Sequence, residues 1–196
     1  MDTYEITISG VRPFLMHAAG AVNPLSTQAK AAKAVSSIRK KTEADHAKMA
    51  EMDWLNSFYK DNLDRPVVPA DSFLGSLISG AKKLRLKGDA LSSIDVVDDA
   101  LLTGHGHPAG SNATILDFWS NGVGPFVDVR GVRVQNARIM RYRPRFNHWK
   151  ATFQIFLSGL DSDRFLQIAR TAGESCGIGD YRPRFGLYEI SRFERS

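Results

Sequence analysis

Two copies of one pentapeptide, YRPRF, stand at residues 142–146 and 181–185, each setting two arginines either side of a proline. Arginine carries a planar fork of N–H donors that matches phosphate oxygens, stacks on flat rings, and is rarely buried without a partner. Such a string points to one of two things: an anionic polymer as ligand, or turns whose arginines pair with carboxylates. The first copy lies in the most basic part of the chain, where residues 129–150 hold Arg130, Arg133, Arg138, Arg141, Arg143, Arg145 and Lys150 and no acid. On a strand Arg141, Arg143 and Arg145 share parity and line one face, where like charges repel unless an anion lies across them. Tyr142, Phe146 and Trp149 interleave with them, and rings between arginines suit bases stacked along a phosphate track. The competing reading is a solvated sheet face, or arginines paired with the acids Asp95, Asp98 and Asp99.

The second copy sits inside GIGDYRPRFG, residues 177–186. Gly177 and Gly179 let backbone amides turn toward a ligand, and Arg182 and Arg184 add charge beside them. The motif follows a helix, the reverse of the strand-to-helix order of a dinucleotide fingerprint, so that reading is rejected. A helix cap at Gly177 followed by a tight turn competes with the anion reading. Arg39, Lys40, Lys41, Lys82, Lys83 and Arg138 are the further cations expected to widen a phosphate track.

Catalytic chemistry is poorly represented. His105 and His107 have no acid or cysteine in a recognised ligand spacing, so neither a metal nor a cofactor is expected. His17 and His148 are the only acid–base candidates, and they would serve a metal-independent endoribonuclease. Cys176 is the one cysteine, which excludes an internal disulfide and fits a reducing, cytoplasmic setting.

These residues need elements to hold them. The chain has 196 residues, 43% hydrophobic and 24% charged, with a formal net charge of +5, an ordinary composition with a modest lean toward anionic partners. No run is long and apolar enough to span a membrane, and MDTYEITISG reads as neither a signal nor a transit peptide. Tyr4, Ile6 and Ile8 alternate on a first strand. Residues 26–41 read as a helix, and Thr42 with Asp45 caps a second that carries Trp54 and Phe58. Val67-Val68 is extended, and Asp71 or Ser72 caps a helix with Phe73, Leu77 and Ala81 inward. Gly75 and Gly80 within it imply that another backbone approaches closely. Residues 88–126 are irregular apart from a strand expected at 114–118. Then come strands at 137–142 and 149–157, a helix capped by Asp161 or Ser162, a loop at 173–186, and a last strand at 187–193.

Strand, helix, strand, strand, helix, strand is the βαββαβ, ferredoxin-like or RRM-like, arrangement of an α+β protein. The expected organisation is one domain over 1–196. Its core covers about 1–12 and 126–196, with a helical insertion after strand one at 26–87 and an irregular loop region at 88–125. VPADSFLGSLISGAKKL and GIGDYRPRFGLYEI resemble the small-rich helix entry and the glycine-rich loop of the RAMP superfamily, RNA-binding proteins of CRISPR systems. The chain is also similar to an uncharacterised family of phage and prophage proteins in its Met16-His17 loop, its RKKT at 39–42 and its RPRF and GDYRPRFG strings. The resemblance implies nucleic acid lying across a sheet and head-to-tail assembly, in a host cytoplasm if phage-encoded. The expectation is sequence-independent binding of single-stranded RNA or DNA by a homo-oligomer or filament. The ribonuclease remains open as an alternative, as does a phage assembly or inhibitor protein whose arginines meet an acidic protein partner.

Overall fold

Four strands far apart in sequence meet at the centre of the molecule. The computed structural model describes residues 2–20 and 22–196; Met1, at the start of the expected core, and Ala21, in the expected loop, lie outside the described residues. β1 (Asp2–Gly10) buries Ile6 and Ile8 and pairs antiparallel with β8 (Lys150–Leu157) and β9 (Tyr188–Arg195). β4 (Ile94–Val96) joins the far edge of β8, so the main sheet runs β4-β8-β1-β9. Ala151, Phe153, Ile155 and Leu157 alternate with solvent-facing residues along β8, as a half-buried strand requires.

Two helices cover the inner face. In α3 (Ala70–Lys83) Phe73, Leu77 and Ala81 are buried, and in α5 (Ser162–Ser175) Phe165, Ile168, Ala169 and Ala172 are. Phe73 stacks on Phe153 of β8 with ring centroids 4.5 Å apart, and Phe165 on Phe193 of β9 at 5.4 Å. Gly80 is where the helices touch, since a Cβ there would lie 2.7 Å from Ile168 O. The expected close approach is found at Gly80 and not at Gly75, which faces open space.

A second antiparallel sheet, β2 (Phe14–Leu15), β7 (Ala137–Phe146) and β6 (Val127–Val134) in the order β2-β7-β6, carries the basic sequence. β3 (Val67–Val68) pairs with β5 (Ala100–Leu101). α1 (Thr27–Ser36) buries no residue and lies beside α2 (Glu43–Asn56), which packs on β7. The Thr42–Asp45 capping box and the Asp161 cap form as the sequence predicts. α4 (Lys87–Ser93) leads into β4.

Several expectations are corrected. The segment 26–87 is not wholly an insertion, because its α3 is one of the two helices on the main sheet. Residues 94–96, expected within a loop region, supply an edge strand, whereas the 127–146 hairpin belongs to the second sheet. Residues 114–118 hold a 3-10 turn over Ile115–Phe118, not a strand, because Asp117 bonds back to the Thr114 amide and hydroxyl at 2.7 and 2.9 Å. Neither Asp71 nor Ser72 caps α3; Pro69 precedes it, and the Asp99 carboxylate accepts from Ala70 N. No helix among the described residues is long and apolar enough to cross a membrane.

Candidate nucleic-acid interface

The first YRPRF copy is strand, not turn, and it faces inward. β7 runs between β6 and β2 here, so Arg143 and Phe146 are enclosed, at 4% and 0% exposure. An arginine so buried needs anions. Arg143 Nη1 lies 2.5 Å from Asp180 Oδ2 and its Nη2 lies 3.6 Å from Asp128 Oδ2, while Asp128 also takes Arg130 Nε at 2.8 Å. Two arginines and two aspartates thus form a neutral group, with Arg143 and Asp128 enclosed and Arg130 and Asp180 partly open to solvent. Arg141 Nη1 pairs with Asp53 Oδ1 at 2.8 Å, and Asp53 Oδ2 accepts the Tyr142 amide at 2.8 Å. The expected row of free arginines at 141, 143 and 145 is therefore corrected. Two of the three are held by acids, and the acids are Asp53, Asp128 and Asp180 rather than Asp95, Asp98 and Asp99. Arg145, half-buried, makes no ion pair among the described residues, and its Nε is enclosed without a hydrogen-bond partner. Trp149 is corrected too: its ring packs over Gly10 at 2% exposure and donates from Nε1 to Arg12 O at 2.9 Å, so it offers no face to a base.

The second copy does the reverse. The loop is pinned to β2 and to itself: Gly186 N donates to Pro13 O, Asp180 N to Leu15 O and Ile178 N to Gly186 O, each at 2.8–2.9 Å. Gly177, Gly179 and Gly186 have φ of 71°, 76° and 72°, and a Cβ on any of them would strike backbone within 3 Å. Gly177 N already donates to Ala172 O. Gly177 thus lets the loop close on itself, as in the capping reading, and Gly179 lets it close against Phe14 and Leu15 of β2. Outside this anchor Tyr181, Arg182, Pro183 and Arg184 are all exposed, and neither arginine makes an ion pair among the described residues.

The two copies meet. The Arg143 guanidinium lies 5.9 Å from the Tyr181 ring centroid, and Arg130 lies 4.8 Å from that of Phe185. Arg12 joins the edge, donating from Nη1 to Arg184 O at 3.3 Å. Lys83 reaches the end of α5, its Nζ 3.3 Å from Ser175 O; Lys82 beside it is exposed. Along the hairpin Arg133 stands directly opposite Arg138, and Arg130 opposite Arg141. Like charges facing across a ladder are unfavourable unless an anion bridges them. Arg39 and Lys40 are exposed in the α1–α2 connection, while Lys41 Nζ bonds Ser36 O and Ile38 O at 2.8 Å and so closes the end of α1.

On the outward side of the main sheet, groups bond to one another: Thr7 with Thr152, Ser9 with Ser191, and Arg192 with Glu5 and Glu194. Cationic capacity therefore belongs to the second sheet and the loop. His17 is exposed, with Nδ1 3.5 Å from Ser57 Oγ, and His148 is exposed before β8; neither pairs with an acid among the described residues. His105 packs with Phe118, Phe126 and Phe146 and His107 with Phe118 and Phe126, and no metal-holding group of three or more His, Cys, Asp or Glu occurs among the described residues.

Sequence reasoning missed Asp128, Asp180, Asp53, Tyr181 and Arg12. Asp128 falls one residue before the acid-free stretch, and Asp180 immediately precedes the second YRPRF, so both signals were adjacent to the motifs. No family model matches the chain, and no curated protein matches it either.

Proposed function

We propose that this protein binds single-stranded nucleic acid along the outer half of the 177–186 loop and the β6–β7 hairpin, with phosphates on the arginines and bases against Tyr181. Tyr181 carries the reading. Its φ is 59°, a left-handed backbone that a bulky residue adopts at a cost of about 1 kcal/mol, and its side chain is 51% exposed. Glycine or asparagine would sit there at less cost, and a packing role would bury the ring. An exposed ring flanked by Arg182, with the buried Arg143 cation to one side, is suited to stack on a base. Arg12, Arg138, Arg145, Arg182 and Arg184, none in an ion pair among the described residues, supply the field for the phosphates.

The sheet order β4-β8-β1-β9, with α3 after β1 and α5 after β8, supports a ferredoxin-like reading in which the basic hairpin is an addition between the second and third core strands. That arrangement fits the RAMP-like resemblance, and with it head-to-tail assembly on the bound strand.

Fluorescence anisotropy with labelled single-stranded RNA and DNA tests the reading. Five phosphate contacts on a single strand predict roughly a 100-fold loss of affinity from 50 to 200 mM salt. Tyr181→Asn is expected to fold at least as stably as wild type and to bind several-fold more weakly, because it relieves the backbone and removes the ring. A flat salt dependence, or a Tyr181→Asn protein that binds as wild type, overturns the proposal.

A further inference from the structure

Four enclosed side-chain nitrogens lack a hydrogen-bond partner among the described residues, and three of them belong to two arginines of β7: Nε and Nη2 of Arg143 and Nε of Arg145. A buried donor normally finds an acceptor, because leaving it unmade is costly. Nε and Nη2 form the side-on fork of a guanidinium, two parallel N–H donors that match two oxygens of one phosphate. On Arg143 that fork is unused. Asp180 accepts from Nη1 instead. Asp128 Oδ2 stands 3.6 Å from Nη2, but both Asp128 oxygens accept from Arg130 Nε, at 2.8 and 2.9 Å. Asp128 thus offsets charge at Arg143 without accepting from it.

Arg145 adds a cation with no acid of its own among the described residues. Arg130, Arg143 and Arg145 stand against Asp128 and Asp180, which leaves one surplus positive charge. Partly desolvated cations with free N–H donors are stabilised by an anion. The group is not sealed, since the Asp180 side chain is 31% exposed and Arg145 is half-buried. Arg143 and Arg145 lie two residues apart on one side of the strand, with Cα atoms about 6.6 Å apart, so one tetrahedral anion is within reach of both. We propose that this group is an oxyanion site for a phosphate with three free oxygens, either the terminal phosphate of a bound strand or inorganic phosphate. An internal phosphodiester has two free oxygens and a sugar on each side, which suits half-enclosed donors less well. The proposal deepens the single-strand reading and rests on it for the first of those two sources alone.

Thermal unfolding in sodium phosphate, against sodium chloride of equal ionic strength, tests the site. Bound phosphate is expected to raise Tm by about 3–6 °C at ten times its dissociation constant. Phosphate also stabilises proteins by exclusion from their surfaces, so the readout is a rise that saturates and that Arg145→Gln abolishes. Arg170→Gln, at an exposed arginine of α5, is expected to keep the rise. Arg145→Lys keeps the charge without the fork, is expected to weaken the effect, and serves if the glutamine variant does not fold. Anisotropy with one single-stranded sequence, carrying a 5′ phosphate, a 3′ phosphate or neither, separates the sources. A terminal phosphate is expected to tighten binding about three- to tenfold. An end preference lost in Arg145→Gln assigns the site to a strand terminus, and a saturable rise alone, lost in the same variant, assigns it to inorganic phosphate. Neither effect in wild type, or effects that the Arg145 variants retain in full, overturn the site and leave the strand-binding reading standing. A saturable rise in a protein that binds no oligomer at low salt overturns the strand reading and keeps the site.

Discussion

Arg143 and Arg182 hold the same place in the same pentapeptide, yet the first is enclosed between two aspartates and the second stands in solvent. The difference comes from neighbours rather than from the string. Arg141 is held by Asp53 of α2, whereas Arg143 is held by Asp128 of β6 and Asp180 of the loop. Arg143→Met leaves those aspartates close together without their shared cation, and it is expected to cost about 3 kcal/mol in urea unfolding. The value stays at the low end because Asp128 keeps Arg130 and the Asp180 side chain is 31% exposed. Adding Asp180→Asn to that variant is expected to restore part of the loss, a coupling that distant sites do not show. Arg182→Met is expected to change stability by less than about 0.5 kcal/mol. Equal costs for the two arginines would contradict the contrast drawn between the copies.

Within the segment between β5 and β6, the irregular stretch is organised by aromatic packing instead of a ladder. Its sequence reads as a strand at 114–118 because Thr114 and Ile115 are β-branched. The Thr114–Asp117 box wins locally, and the i, i+3 spacing of Ile115 and Phe118 turns both inward. His105 completes the cluster at 6% exposure. Its Nδ1 accepts from His107 N at 3.2 Å, which leaves the proton on Nε2, enclosed without a partner, beside Phe118 with ring centroids 5.2 Å apart. Burial foremost, and the nearby His107 second, hold its pKa below the usual histidine value. The unfolded chain then binds the extra proton first, so this contribution is whole above about pH 6.5 and is lost as pH falls below it. Urea unfolding at pH 7.5 and pH 5.5 is expected to show wild type losing stability at the lower pH. His105→Phe should lose less. An identical loss in both proteins would assign the acid sensitivity to other groups.

Across the whole molecule, the readable and unreadable parts divide largely by strand length, although β6, with eight residues, also went unplaced. β1, β8 and β9 have eight or nine residues, enough for alternation to declare them, and the sequence placed all three. β4 has three residues and β2, β3 and β5 have two each, too few for a period to show, so the edge of the main sheet and most of the pairing around the loop were hidden. The same blind spot assigned α3 to an insertion, although its glycines already signalled a close neighbour. That neighbour is α5, nearly a hundred residues on, and Gly80 is the point at which the two distant stretches lock over the sheet. A methyl at Gly80 would meet backbone and the Ala172 side chain at 2.7–2.8 Å, and neither can move without moving α5. Gly80→Ala is therefore expected to cost about 1–3 kcal/mol, a fall in Tm of roughly 3–10 °C for a chain of this size. Gly75 lies on the same helix with nothing within 4 Å of a Cβ, so Gly75→Ala is expected to raise Tm by roughly 2–4 °C through helix propensity and a less free unfolded chain. Opposite signs from one substitution five residues apart are the thermal-melt signature of helices in contact at Gly80. Two falls of equal size would mean that α3 does not dock on α5 by that face.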